Sequence, residues 1–168
     1  MREPHLHPAL SLRGLVTLCL AIIPVMLASL IGQFFTAPAI NGWYATLQKP
    51  FFNPPNVVFP LVWTFLYALM AVAFWRILRA RPEAGPVGGA IAVFLAQLVA
   101  NAGWSYAFFG LRSPLAGLLV IGVMLVLIAL TIRRFVPIDR AAGYALFPYL
   151  AWVGFAAILN AAIVILNP

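Results

Sequence analysis

Residues 115–135 read LAGLLVIGVMLVLIALTIRRF. No charge interrupts the run until Arg133 and Arg134 close it. A helix rises 1.5 Å per residue, so about 20 apolar residues cross a hydrocarbon core of about 30 Å. The run has no period-2 alternation, which argues against a barrel strand. In lipid every backbone N–H needs an internal partner, and a helix supplies one within the segment. The stretch therefore reads as a membrane-spanning helix.

Reading outward, the same pattern recurs in Leu15–Phe35, Val57–Leu78, Val87–Phe109 and Ala141–Leu166. The whole chain of 168 residues is 65% hydrophobic and 8% charged, against about 25% charged in soluble domains. So few charges could not cover a soluble surface. A cytosolic enzyme, a disordered chain and a secreted disulfide scaffold are excluded. The expected fold is an all-α integral membrane protein, a bundle of five transmembrane helices over residues 15–166 behind a tail at 1–14. Ala37-Pro38-Ala39 loosely mimics a signal-peptidase site, but the first run is too long for a typical signal core.

Ten Lys and Arg face three acids, for a net charge of +7. In a soluble chain that excess would suggest nucleic acid. Here the basic residues cap apolar runs, so they read as topology signals and no nucleic-acid partner is expected. With the N-terminus inside, Arg2, Arg13, Arg76, Arg79, Arg81, Arg133, Arg134 and Arg140 fall on the inner side. Only Lys49 and Arg112 fall outside. The positive-inside rule then favours a bacterial inner membrane, with a cytoplasmic N-terminus and an outer C-terminus. The single cysteine, Cys19, reads as a small apolar filler.

The links between spans are short except the first, Thr36–Asn56. A loop of about 20 residues is usually functional. It holds Pro38, Pro50, Pro54 and Pro55, with Trp43, Tyr44, Phe51 and Phe52 between them. Proline stiffens the backbone and aromatics favour the membrane interface. A structured lid is expected; the alternative is a surface loop anchored by its aromatics.

Polar groups inside a bilayer are costly and need a reason. The third span carries Gln97, Asn101 and Ser105 at four-residue spacing, with Trp104 alongside. The second repeats aromatics at Phe59, Trp63, Tyr67 and Phe74, and the fifth aligns Tyr149, Trp152, Ala156 and Asn160. Converging, these faces would line an apolar pocket with a few orienting polar groups. Alternatively they glue helices together, at about 0.6 kcal/mol per interhelical bond. Small residues at Gly88, Ala92, Ala96 and Ala100 share one face. They suit either close packing within the bundle or a homodimer seam.

The acids sit away from the bilayer centre: Glu3 in the tail, Glu83 and Asp139 in connections. A proton-coupled transporter is therefore disfavoured. His5 and His7 decorate the tail. No metal-ligand set, phosphate loop or hydrolytic triad stands out, so no metal and no required cofactor are expected.

The stretch from Gly42 to Pro55, GWYATLQKPFFNPP, resembles the signature loop of the translocator protein family, also called TspO/MBR or the peripheral benzodiazepine receptor family. Further similar motifs follow in order: Val62–Tyr67, Gln97–Trp104 with Phe108-Phe109-Gly110, then Pro148–Trp152 with Phe155–Asn160. The resemblance covers about residues 15–166. It implies a five-helix bundle, commonly a homodimer, that binds porphyrins, sterols and benzodiazepine-type ligands beneath the first loop. By match, Trp63 and Trp152 look like the pocket tryptophans and Asn101 like the pocket asparagine. Tyr44, Lys49, Pro50 and Phe59 match loop and mouth positions. Ala156 resembles the small fifth-span residue that tunes ligand binding. The resemblance also leaves a bacterial outer membrane or a mitochondrial outer membrane as the alternative location.

Two positions depart from the pattern. Phe51 and Phe52 stand where bacterial members often carry tryptophan. Leu159-Asn160 continues Ala161-Ala162-Ile163-Val164, without the Tyr and the Lys or Arg of the sterol pattern, so cholesterol is a poor fit.

The leading expectation is a membrane-embedded, tetrapyrrole-binding translocator-type protein acting in porphyrin handling or stress signalling. Its ligand would be protoporphyrin IX or haem, stacked on Trp63 and Trp152. Lys49 would either meet a ligand carboxylate or simply snorkel at the interface. Rival readings are a light-dependent protoporphyrin-degrading enzyme with Trp63 and Trp152 as redox partners, a small-molecule transporter, and a scaffold docking partners on the Gly88–Ala100 face.

Overall fold

The computed structural model describes residues 12–80 and 87–168. Arg2, Glu3, His5, His7, Arg81 and Glu83 lie outside the described residues, as does the Arg13 side chain. Every regular element of the described chain is helical: α1 (Leu12–Ile40), α2 (Trp43–Thr46), α3 (Val58–Leu78), α4 (Val87–Ser105), α5 (Pro114–Phe135), α6 (Arg140–Tyr144) and α7 (Phe147–Leu166). Its five segments long and apolar enough to cross a membrane confirm the all-α, five-span architecture.

Three boundaries differ from the sequence expectation. First, α1 continues through Thr36 and Pro38 to Ile40. Proline inside a membrane helix is tolerated where neighbouring groups re-satisfy the freed carbonyl. The expected lid therefore begins later, and the turn α2 lies inside it. Second, α4 gives way at Ser105 to a π-helical turn, Tyr106–Gly110, closed by Leu111 N–H donating to Tyr106 O at 2.8 Å. The wider turn buries the successive rings of Phe108 and Phe109 while Tyr106 points out. Third, the fifth run is not one helix. Pro148 lacks an N–H and crowds the carbonyl four residues back, so the chain turns at Ala145 and Leu146 and restarts as α7.

Caps fix the connections. The Ser113 hydroxyl accepts from Ala116 N–H at 3.2 Å ahead of Pro114, a favoured start for α5. The Asp139 carboxylate caps α6 by accepting from Ala142 N–H at 2.9 Å, and it pairs with Arg76 at 2.8 Å. That pair ties the end of α3 to the α5–α6 link. Burial raises the Asp139 pKa, but its bonds to Arg76 and to the Ala142 amide prevail and hold it below the usual carboxylate value.

Helix α1 packs on α3 and α4, α4 on α5, and α5 on α7, while α6 closes against α3. The bundle has two unlike halves. Toward the arginines, Phe94 stacks between Phe74 and Phe135 at 4.3 and 5.6 Å, within a layer that includes Met70, Ile77, Met124 and Ile128. Beneath α2, large rings cluster around Tyr44, Phe108 and Phe109. Phe74 thus joins the solid core and not the second-span aromatic face of the pocket.

Of the small-residue stripe, only Ala100 packs against the bundle core. Gly88, Ala92 and Ala96 are exposed, Ala100 is half-buried, and a side chain at Gly88 would meet only open space. Helix α4 instead buries Ala90, Phe94 and Leu98.

Candidate ligand cavity

A cavity of about 390 Å³ lies in the half beneath α2. Helix α3 supplies Phe59, Trp63, Thr64 and Tyr67. Helix α4 and its π turn supply Asn101, Trp104, Ser105, Phe108 and Phe109, and α7 supplies Trp152, Ala156, Leu159, Asn160 and Ile163. Helix α1 contributes Ser29, Gly32, Gln33 and Thr36, and Tyr44 roofs it. Gln33, Ala37, Pro60 and Thr64 on this wall are exposed, so the cavity opens between α1 and α3.

The rings form a continuous lining. Trp63 lies near parallel to Trp104, 27° between planes and 6.5 Å between centroids, and sits 5.4 Å from Tyr67. Trp104 continues the stack to Phe108 at 5.7 Å. Trp152 meets Phe59 edge-on at 6.0 Å. Offset and edge-on rings are the arrangements aromatic quadrupoles favour.

The floor is polar. The Tyr67 hydroxyl donates to Asn101 Oδ1 at 2.8 Å, and Asn101 Nδ2 donates to the Tyr149 hydroxyl at 3.0 Å. Asn101 is thereby fixed in one orientation between α3 and α7. Tyr67 has spent its proton on Asn101, so its oxygen is left able to accept from a guest. Gly32 lets α1 approach this floor: a Cβ there would sit 3.2 Å from Ser105 Oγ. Asn160 Nδ2 donates to Pro114 O at 2.7 Å, linking α7 to the start of α5.

Residues 41–57 arch over the cavity. Trp43 packs on Phe108 and Tyr44 on Phe109, at 5.5 and 5.7 Å, and Phe52 meets Phe155 at 6.4 Å. The Tyr44 hydroxyl donates to Asn53 Oδ1 at 3.2 Å. Desolvation raises the Tyr44 pKa and outweighs the opposing effect of that bond.

Of the sequence candidates, Tyr44, Phe59, Trp63, Tyr67, Asn101, Trp104, Trp152, Ala156 and Asn160 line the cavity. Gln97, Tyr149, Lys49 and Pro50 do not. Gln97 sits below the floor, its Nε2 3.9 Å from Met70 Sδ. Tyr149 is fully buried behind Asn101 and supports it. Lys49 rests its ammonium 4.6 Å over the Tyr44 ring and donates to Leu47 O at 3.1 Å, so it braces the cap. The α1 wall went unnoticed in the sequence, and Phe108-Phe109, noted there as a motif, was not named among the pocket residues. Ser29, Gly32, Gln33 and Thr36 share one helical face of an otherwise apolar run, and that periodicity is the signal that marks them.

Fold and site together define a class: a five-span membrane protein whose capped half encloses an aromatic cavity over a Tyr–Asn floor. Comparison with known proteins gives the family. The TspO/MBR family pattern matches residues 20–166, and the chain belongs to that family. It is 40% identical over 156 residues to the tryptophan-rich protein TspO of Chlorobaculum tepidum, covering 93% of this chain and 99% of that one. It is 40% identical over 131 residues to the tryptophan-rich sensory protein of Cereibacter sphaeroides, covering 74% and 80%. It is 33% identical over 150 residues to the translocator protein of Homo sapiens, covering 82% and 86%.

Proposed function

We propose that this TspO/MBR membrane protein binds a tetrapyrrole, protoporphyrin IX or haem, in the capped cavity and acts in porphyrin handling or stress signalling. The observation that carries the reading is the lining itself. Indoles from three helices, Trp63, Trp104 and Trp152, wall an apolar hollow whose floor is the Tyr67–Asn101 pair. A flat apolar macrocycle gains most from ring stacking and desolvation. Tyr67 accepts from a polar hydrogen of the guest. The guest's carboxylates reach the mouth between α1 and α3, where Gln33 and Thr64 are exposed. Titration with protoporphyrin IX tests this through tryptophan fluorescence. The expected result is saturable quenching, with affinity at least about tenfold weaker in Trp63→Phe plus Trp152→Phe. Unsaturable quenching, or equal affinity in the double variant, rejects the site.

The ring series Tyr67, Trp63 and Trp104, spaced 5.4 and 6.5 Å, favours a second reading. Indole can reduce a photoexcited porphyrin, and neighbouring rings can share the oxidised state. Illumination would then give a new chromophore in the unaltered protein and none in the double Phe variant. We also assign a homodimer to the outward stripe Gly88–Ala100 and a cytoplasmic side to the arginine-rich end.

A further inference from the structure

We propose that Asn167 is a positioning residue that pins the cap over the cavity and so sets how fast the cavity exchanges its contents. Its carboxamide pairs with both main-chain polar groups of one cap residue. Gln48 N–H donates to Asn167 Oδ1 at 3.0 Å, and Asn167 Nδ2 donates to Gln48 O at 3.0 Å. A primary amide carries an acceptor and a donor side by side, so it mimics one residue of a neighbouring strand. A hydroxyl or a carboxylate cannot fill both roles in this geometry.

The anchor is firm on the helix side. Asn167 follows α7, and its backbone N–H and its Nδ2 both reach Ile163 O, at 3.1 and 2.8 Å. Ile163 lines the cavity. One side chain therefore joins cap, helix end and cavity wall.

The cap has few other polar ties. Its remaining hydrogen bonds stay within the segment or its ends: Tyr44 to Asn53, Lys49 to Leu47, Asn53 to Pro54, Thr46 to Trp43. Among the described residues, the Gln48–Asn167 pair alone hydrogen-bonds it to a distant part of the chain. Pro50, Pro54 and Pro55 stiffen the segment, so fixing Gln48 fixes the arch. The pair is exposed, which makes the bonds weak enough to break and re-form.

The test uses the full chain in lipid nanodiscs. Amide hydrogen exchange over residues 43–53 reads the cap without any ligand. Release of bound protoporphyrin IX reads the gate, and this arm rests on the tetrapyrrole reading above. In Asn167→Ala, cap exchange rises roughly tenfold. In Asn167→Asp it rises at least as much, because a carboxylate then faces the carbonyls of Gln48 and Ile163. Release speeds up by a similar factor in both. A tether separates pinning from mere helix capping: Gln48→Cys plus Asn167→Cys, with Cys19→Ser, should show fast cap exchange and release when reduced and slow when oxidised. Unchanged cap exchange in both amide variants overturns the proposal. So does faster cap exchange with unchanged release, since the guest would then leave between α1 and α3. If the unaltered protein binds no protoporphyrin IX, the ligand reading fails, and the exchange arm alone decides the pin.

Discussion

The two halves of this bundle share five helices and differ in how they fill space. Toward the arginines, Phe74, Phe94 and Phe135 stack in parallel among aliphatic side chains, and α6 closes against α3 beside the Arg76–Asp139 pair. The buried Thr131 there turns to its own helix, donating to Leu127 O, and the ion pair that crosses between elements lies at the exposed rim. Beneath the cap, Trp63, Trp104 and Phe108 stack while Trp152 and Phe59 meet edge-on, the π turn widens the end of α4, and the wall between α1 and α3 is exposed. Polar groups there bond across helices, as Tyr67, Asn101 and Tyr149 do. Flexible aliphatic side chains packed around the rings fill a volume completely. Large rings held by interhelical bonds leave one open. The solid half supplies stability, and the hollow half is free to receive a guest.

Four substitutions probe that contrast, beginning with the largest effect. Phe94→Ala should cost about 3–5 kcal/mol of stability, because the closed stack cannot collapse into the gap. Phe108→Ala, which only enlarges an existing hollow, should cost clearly less while weakening protoporphyrin IX binding. Thermal unfolding in detergent checks both, and equal losses would erase the distinction between the halves. Tyr67→Phe leaves Asn101 Oδ1 without its donor. The expected cost is about 1–2 kcal/mol, with a loss of affinity that the same change at exposed Tyr144 does not produce.

The smallest effect belongs to the arginine end. Asp139→Asn keeps a competent helix cap but loses the ion pair, about 0–1 kcal/mol for an exposed pair. The pKa of Asp139 is lowered from its ordinary value of 3.8. Its contribution is thus complete above that value and disappears as pH falls through the lower folded-state pKa. The difference in melting temperature between unaltered protein and variant should be constant at neutral pH and shrink below about pH 4. A gap that widens on acidification would contradict the assignment.

The sequence made the spans legible because each is a long uncharged run, and helical spacing gave the direction of each inward face. It did not give depth. Tyr67 and Phe74 point the same way, yet Phe74 lies about 10 Å further along the axis and lands in the solid layer. Gln97 falls below the floor for the same reason, one turn from Asn101. The π turn has no composition of its own, since it answers to packing around Phe108 and Phe109. Pro148 did announce the break before α7, but hydropathy averaged across it. The α1 wall was readable from Ser29, Gly32, Gln33 and Thr36, and the surrounding apolar length masked it.

On the proposed function, the hollow under the cap is where a tetrapyrrole sits. The most direct measurement compares equilibrium binding of protoporphyrin IX to Ala156→Phe, which fills the cavity wall, with Leu119→Phe on the exposed face of α5. Saturable binding is expected to be lost in Ala156→Phe and unchanged in Leu119→Phe. Equal binding by the two variants would contradict it.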